Sequence, residues 1–134
     1  MKTVKIGIVG ARKRNSPEDK ELIRQCILHL INKYPDVIIE LVSGGCPLGA
    51  DRFAEELAKE FNLKIVIHLP NKNDMKENSK SEYAKACFAR NTLIANDSDI
   101  LIAMPNYDKD KVPYGGTADT INKTKLQKKL VVLL

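Results

Sequence analysis

Five short apolar segments alternate with longer segments of helical periodicity along the chain. The apolar segments are residues 4–9, 37–42, 64–69, 99–104 and 131–134. Each is a nearly continuous run of apolar side chains, which is typical of a strand that is buried on both faces. Helices that connect such strands form right-handed crossovers and cover both faces of a parallel sheet. The sequence therefore predicts an α/β fold with a doubly wound, mostly parallel five-stranded sheet.

Length and composition indicate one globular domain. The chain has 134 residues, so we expect a single domain over residues 1–134. No apolar run approaches the roughly 20 residues of a membrane helix, and no signal peptide precedes the first strand pattern. The three cysteines, Cys26, Cys46 and Cys87, are widely spaced, so neither a metal site nor a disulfide framework is expected. We predict a cytoplasmic protein without membrane contact and without a cofactor.

The net charge of +5 favours an anionic partner but does not choose among nucleotides, nucleic acids and phosphometabolites. Much of the positive charge lies late in the chain. A solvated helix whose C-terminal lysines complement its dipole explains this charge. A nucleic-acid track is disfavoured because no aromatic residues are interleaved with the lysines. These lysines are Lys109, Lys111, Lys123, Lys125, Lys128 and Lys129.

Three glycine-bearing turns lie at predicted strand ends or helix starts, at residues 10–12, 43–51 and 115–117. A parallel sheet brings such positions to its carboxyl edge, where ligands bind at the switch in strand order. Glycine lets the backbone approach a ligand closely, and a helix N-terminus presents free N–H groups to a phosphate. We therefore expect these turns to meet around a phosphorylated ligand. The candidate ligand-binding residues there are Gly10, Arg12, Ser43, Gly44, Gly45, Gly49, Asp51, Gly115, Gly116 and Thr117.

Two familiar nucleotide signatures are missing. The chain contains no Gly-x-x-x-x-Gly-Lys-Ser/Thr, which excludes a P-loop NTPase. The first turn lacks Gly-x-Gly-x-x-Gly, and the second strand does not end in an acidic residue that would hold an NAD ribose. A standard dinucleotide dehydrogenase is therefore disfavoured.

Arg90 and Asn91 interrupt the apolar face of a predicted helix over residues 81–96. A buried arginine needs a partner because an unpaired buried charge is costly. Either both side chains reach the ligand edge, or Arg90 snorkels or pairs internally with an acid such as Glu82 or Asp97. The role of Asp51 has two interpretations as well: its charge either interacts favourably with the helix dipole, or its carboxylate holds a ribose hydroxyl.

The motifs resemble those of the SLOG superfamily, which is named for the Smf/DprA and LOG proteins, and are most similar to its YspA/YpsA-related subgroup. The resemblance rests on Ser-Gly-Gly-x-x-x-Gly-Ala-Asp from Ser43, on Arg90-Asn91, and on Gly-Gly-Thr-Ala-Asp from Gly115. It spans nearly the whole chain. It implies a Rossmann-like fold that binds nucleotides or nucleotide-derived ligands, with Gly44, Gly45, Gly49, Gly116 and Thr117 in the pocket. Dimers are frequent in this superfamily, so a homodimer is an open option.

The resemblance also exposes one departure from the LOG enzymes. Their Pro-Gly-Gly-x-Gly-Thr-x-x-Glu places a glutamate that assists N-glycosidic cleavage, whereas Thr120 occupies that position here. The leading hypothesis is therefore binding or sensing of a nucleotide-derived ligand. The alternative is a nucleoside monophosphate N-glycosidase that uses Asp51, Glu82 or Asp119. The third is a single-stranded-DNA binder, with nucleic acid disfavoured but not excluded.

Overall fold

The computed structural model describes residues 1–71 and 80–134. Helices and strands alternate as the sequence predicts. The strands of the main sheet are β1 (Thr3–Gly10), β2 (Ile38–Ser43), β3 (Lys64–Ile67), β4 (Ile100–Met104) and β7 (Leu130–Leu133), and a small hairpin adds β5 (Asn106–Tyr107) and β6 (Pro113–Tyr114). The helices are α1 (Pro17–Lys33), α2 (Ala50–Glu60), α3 (Lys80–Asp97) and α4 (Gly116–Leu126).

The main sheet has the strand order β3-β2-β1-β4-β7, and every pairing is parallel. The chain moves outward from β1 through β2 to β3 and then returns to the other side of β1 with β4. The order therefore reverses between β1 and β4, where a crevice opens beyond the carboxyl ends of the strands. The predicted doubly wound α/β fold is confirmed.

Successive side chains of β1 enter different cores because a strand alternates its faces. Ile6 and Ile8 pack in a core with α1 and α2, whereas Val9 packs in a second core with α3 and α4. Ile102 of β4 lies in the first core and Ala103 in the second. Both faces of the sheet are thus covered, which explains why the strand sequences are apolar throughout.

Local sequence signals set the start of α1. Ser16 Oγ accepts a hydrogen bond from Asp19 N (3.1 Å), and Ser16 N donates to the Asp19 carboxylate (3.2 Å). Pro17 occupies the first helical position, where its missing N–H costs nothing. This reciprocal capping gives both backbone N–H groups a hydrogen-bond acceptor. The predicted helix start at Ser16 and Pro17 is therefore confirmed.

The predicted loop over residues 106–112 is only partly a loop, because β5 and β6 pair as an antiparallel hairpin. Asp108 Oδ1 accepts hydrogen bonds from Asp110 N (2.8 Å) and Val112 N (3.0 Å), which closes the turn between these strands. Two-residue strands carry too few residues to show an apolar alternation. The other predicted loop, over residues 71–80, lies largely outside the described residues.

Candidate ligand-binding site

A cavity of about 360 Å³ lies at the carboxyl edge of the sheet, beside the end of β1. It brings together the turn after β1, the turn after β2, one face of α3 and the first turn of α4. The described residues that line it are Val9, Gly10, Ala11, Arg12, Cys46, Asp51, Tyr83, Ala84, Cys87, Phe88, Arg90, Asn91, Ile94, Gly116, Thr117 and Thr120. The three glycine-bearing turns therefore meet in the structure, as the topology requires.

The sequence-predicted site residues divide into two groups. Seven of them line the cavity, namely Gly10, Arg12, Asp51, Arg90, Asn91, Gly116 and Thr117. The others are not among the described lining residues, namely Ser43, Gly44, Gly45, Gly49 and Gly115, together with the carboxylate candidates Glu82 and Asp119. The turn after β2 thus contributes less to the cavity wall than its sequence indicates.

Two N–H groups of the turn after β2 donate hydrogen bonds to side chains of the protein. Cys46 N donates to Asp51 Oδ2 (3.0 Å), and Gly49 N donates to Asn15 Oδ1 (2.8 Å). Asp51 is 8% exposed and Ser43 is fully buried. These two N–H groups are therefore not free to bind a phosphate, although the sequence motif predicts that they would be.

The glycines of this turn are enclosed by neighbouring groups. A Cβ at Gly44 would lie 2.5 Å from Arg90 Nη1, and one at Gly49 would lie 2.8 Å from the Ala11 carbonyl oxygen. Gly45 and Gly49 also have φ of 75° and 72°, a region that disfavours side chains. The motif glycines are needed for close packing and for backbone geometry.

Burial raises the pKa of Asp51, while the N–H of Cys46 and the charge of Arg90 oppose that increase. The Ser43 hydroxyl lies close enough to favour the charged form, but it makes no well-formed hydrogen bond with a described residue. The carboxylate therefore sits between the turn that it holds and the cavity that it lines.

Arg90 and Asn91 bond to the backbone of two different turns. Arg90 Nη1 donates to Gly44 O (2.8 Å), and Arg90 Nε donates to Asn91 Oδ1 (3.0 Å). Asn91 Nδ2 donates to Gly116 O (3.3 Å) and to Asp119 Oδ2 (3.2 Å). These side chains thus line the cavity and are also tied to both turns. Asp97, one internal partner considered for Arg90, pairs with Lys5 and His68 instead.

The start of α4 is open. Its N-cap is Gly115, with φ of 85° and no capping bond from any side chain that the structure describes. A Cβ built at Gly115 or Gly116 would meet no atom within 4 Å. The first N–H groups of a helix have no intrahelical partner and carry a partial positive charge. This end of the helix is therefore arranged to accept an anion from the cavity.

Arg12 supplies a side-chain charge to the same cavity. It is exposed, and its Nη2 donates to the Tyr83 hydroxyl across a long 3.4 Å contact. That contact and the neighbouring Cys46 raise the pKa of Arg12, which stays positively charged. Tyr83 and Phe88 form an aromatic wall, with 45% and 48% of their surfaces exposed. The cavity thus combines a cationic region with faces on which a planar ring can stack.

The remaining candidate acids have other partners. Asp119 accepts from Lys123 Nζ (2.8 Å) as well as from Asn91. Glu82 lies 3.9 Å from Lys85. Asp97 pairs with Lys5 (2.7 Å) and His68 (2.9 Å). Of the three carboxylates considered for catalysis, Asp51 is the one among the described lining residues.

Two of the late lysines are used inside the protein. Lys123 Nζ donates to the Phe88 carbonyl oxygen (2.8 Å), and Lys129 Nζ donates to the Ala95 carbonyl oxygen (2.8 Å) near the end of α3. They therefore tie α4 and its following turn to α3. Both bonds are made to carbonyls of α3, and not to the C-terminal carbonyls of their own helix that the sequence favours.

Sequence reasoning missed three contributors. Asn15 holds Gly49 from 34 residues away, so no local pattern signals it. Tyr83 and Phe88 form the aromatic wall; Tyr83 shares the helical spacing of Arg90, which was a usable signal, whereas Phe88 lies off that stripe.

Within residues 1–71 and 80–134, His, Cys, Asp and Glu side chains form no group of three or more that could hold a metal ion. In the same part of the chain, no helix is both long and apolar enough to cross a membrane.

Fold and site together define an α/β protein of the doubly wound class, with a polar and aromatic cavity at the switch in strand order. No protein-family model matches the chain, and no curated protein matches it significantly in sequence. Its fold is similar to that of the molybdenum cofactor carrier protein of Chlamydomonas reinhardtii, with a TM-score of 0.62 and 22% identity over 98% of this chain and 76% of that one. A UDP-N-acetylglucosamine 2-epimerase is also similar, with a TM-score of 0.53 and 17% identity, over all of this chain but only 32% of that one. These likenesses show a common fold.

Proposed function

We propose that the protein binds a nucleotide, or another nucleotide-derived phosphorylated ligand, in the cavity beside β1. The observation that carries the proposal is that Arg12 and the uncapped start of α4 face one cavity. Free helix N–H groups and a guanidinium are both strong donors to a phosphate oxygen. Gly116 and Thr117 are the backbone partners in this proposal, and Arg12 is the charged one.

The rest of the cavity suits the organic part of such a ligand. Tyr83 and Phe88 on α3 line the cavity with about half of their surfaces exposed, and Lys123 Nζ lies over the Phe88 ring, 5.8 Å from its centroid. The Asp51 carboxylate offers an acceptor for a hydroxyl or amino group. Asp51 would repel a phosphate, so the phosphate belongs near Arg12 and α4 rather than beside the turn after β2. A cavity of about 360 Å³ is within the range of small-ligand sites.

Two comparisons support a binding role. The carrier protein with the similar fold carries a small-molecule cofactor, as its name states. The motif resemblance to the SLOG superfamily, and to its YspA/YpsA-related subgroup, implies nucleotide-derived ligands. Cytoplasmic location and a homodimer stay predictions from the sequence.

The direct test is titration calorimetry with nucleoside monophosphates and diphosphates, cyclic nucleotides and ADP-ribose. We expect at least one of them to bind, and Arg12→Ala to weaken that binding about 10- to 100-fold through the lost charge-assisted bond. Arg24→Ala is the matched control, because Arg24 lies on α1 and pairs with Glu60 (2.6 Å), away from the cavity wall. Absence of binding by the whole panel would overturn the proposal.

One observation favours the N-glycosidase as a second candidate. Asp51 lines the cavity, and its raised pKa is a property shared by many catalytic carboxyl groups. If the protein is a hydrolase, incubation with a nucleoside monophosphate releases free base, and Asp51→Asn abolishes the release. If a nucleotide binds but chromatography detects no free base, the N-glycosidase is excluded and ligand binding is the candidate that stands.

A further inference from the structure

Arg90 and Asn91 are neighbours on α3, and each donates a hydrogen bond to the carbonyl of a glycine in a different turn. Arg90 bonds to Gly44 O and Asn91 to Gly116 O, and a third bond, from Arg90 Nε to Asn91 Oδ1, joins the two side chains. We propose that this pair is a positioning clamp rather than a ligand contact, and that Asn91 aims the N–H of Thr117 into the cavity.

The geometry of the peptide bond links the Asn91 hydrogen bond to the direction of the Thr117 N–H. In a planar trans peptide, the carbonyl of one residue and the N–H of the next point in opposite directions. Asn91 Nδ2 draws the Gly116 carbonyl toward α3 at 3.3 Å. The N–H of Thr117, which belongs to the same peptide plane, must then point away from Asn91. Thr117 lines the cavity, so Asn91, together with Thr120 Oγ1, which also donates to Gly116 O (3.5 Å), restrains the direction of a donor that it does not touch.

Within α4, Thr120 Oγ1 makes a long contact with the Gly116 carbonyl oxygen (3.5 Å), and Asn91 adds a shorter one from α3 (3.3 Å). Two consecutive glycines, Gly115 and Gly116, begin this segment, and a Cβ at either would find no neighbour within 4 Å. Glycine has more backbone freedom than any other residue, and within residues 1–71 and 80–134 no side chain caps the helix. Asn91, which is 6% exposed, is held between Arg90 and Asp119. It is therefore the ordered partner of a loosely packed segment.

Asn91 also affects anion binding through its hydrogen bond to the Asp119 carboxylate. Asp119 lies in the first turn of α4, where a free carboxylate would compete with a phosphate for the helix N-terminus. Its Oδ2 instead accepts from Asn91 Nδ2 (3.2 Å) and from Lys123 Nζ (2.8 Å). The clamp thus holds this negative charge against α3 and Lys123. The aiming of Thr117 toward a ligand rests on the proposed function; the clamp itself does not.

The variant Asn91→Asp separates the two arms of the clamp. Asp keeps an oxygen that accepts from Arg90 Nε, so the Gly44 arm survives, but it has no N–H to donate to Gly116 or Asp119. Asn96→Asp is the matched control: it makes the same change of charge on the same helix, at an exposed residue whose Oδ1 accepts from Gln127 (2.6 Å). The N–H of Ala118, which bonds to Gly115 O (3.1 Å), reports opening of the first turn.

We expect Asn91→Asp to increase amide hydrogen exchange at Ala118 about tenfold and to weaken binding of inorganic phosphate and AMP about tenfold, each equivalent to about 1.4 kcal/mol. Asn96→Asp should change neither. Unchanged exchange at Ala118 in the variant would overturn the clamp. Increased exchange with unchanged affinity would overturn the aiming of Thr117.

Increased exchange in a protein whose unmodified form binds neither probe would support the clamp and count against the proposed function. Because a carboxylate at position 91 lines the cavity and itself repels a phosphate, Asn91→Ser, which removes the same two bonds without adding a charge, must show the same increase at Ala118 and the same loss of affinity.

Discussion

In the turn after β2, two N–H groups donate to side chains of the protein, whereas the start of α4 faces the cavity and solvent. In the first turn, Asp51 and Asn15 take the N–H groups of Cys46 and Gly49. In the second, the glycines at 115 and 116 are exposed, and a Cβ at either would meet no atom of the described residues within 4 Å. Both turns are glycine-rich and both precede a helix. In the first turn, glycine is needed because a Cβ would clash with neighbouring groups. In the second, glycine leaves the N–H groups at the start of α4 accessible from the cavity.

The largest expected effect is on stability and separates Gly49 from Gly116. Gly49→Ala forces a side chain into φ of 72° and places a Cβ 2.8 Å from the Ala11 carbonyl oxygen. We expect it to lower the free energy of unfolding by about 2–5 kcal/mol. Gly116→Ala should be neutral or stabilise by up to about 1 kcal/mol. Urea denaturation measures both, and equal losses would remove the distinction between the two turns.

The next effect is on ligand binding and concerns one N–H of α4. Gly116→Pro places proline at the first helical position, which favours it, and removes that N–H. We expect the affinity for the best nucleotide of the panel to fall about tenfold with stability almost unchanged. Gly116→Ala, which keeps the N–H, serves as the control by calorimetry. An affinity unchanged by proline would mean that the N–H of Gly116 does not hold the phosphate, which would leave the N–H of Thr117 as the donor of α4.

The smallest effect is on the pH dependence of stability, and it contrasts Asp51 with Asp97. Burial raises the pKa of Asp51 in the folded protein, so its contribution to stability grows as the pH falls through that raised pKa. The pKa of Asp97 is lowered, since hydrogen bonds from Lys5 and His68 outweigh its burial. Its contribution is present above the ordinary pKa of an aspartate and is lost as the pH falls through the lowered one.

Urea denaturation from neutral pH down to well below the ordinary pKa of an aspartate, about 3.9, tests this contrast. Asp51→Asn should steepen the loss of stability in acid, and Asp97→Asn should flatten it. If Asp51→Asn instead flattened the loss, the carboxylate in the turn after β2 would be stabilised by its partners more than it is penalised by burial.

Much of the architecture was predictable because it follows from periodicity. Apolar strands and amphipathic helices require a covered parallel sheet, and parallel connectivity sends the three turns to one edge. The hairpin of β5 and β6 was missed because two-residue strands have no pattern to detect. Its closure depends on one side chain, Asp108, which bonds to the backbone of its own turn.

The roles of the site residues were less predictable than their location. The motif beginning at Ser43 indicates free N–H groups, yet Asn15, which is remote in sequence, takes one of them. The sequence singles out Arg90 and Asn91 as polar residues on an apolar helix face. Their partners are main-chain carbonyls, and sequence alone does not show which carbonyls a fold presents to a helix.

The sequence by itself determined the α/β class, the parallel sheet and the edge at which the glycine-bearing turns gather, because these follow from local periodicity and chain connectivity. Only the tertiary structure decided which turn is closed and which is open. That outcome depends on hydrogen bonds between residues far apart in the chain, such as Asn15 with Gly49 and Asn91 with Gly116. An N–H group binds the acceptor that the fold places beside it, whatever the motif around it.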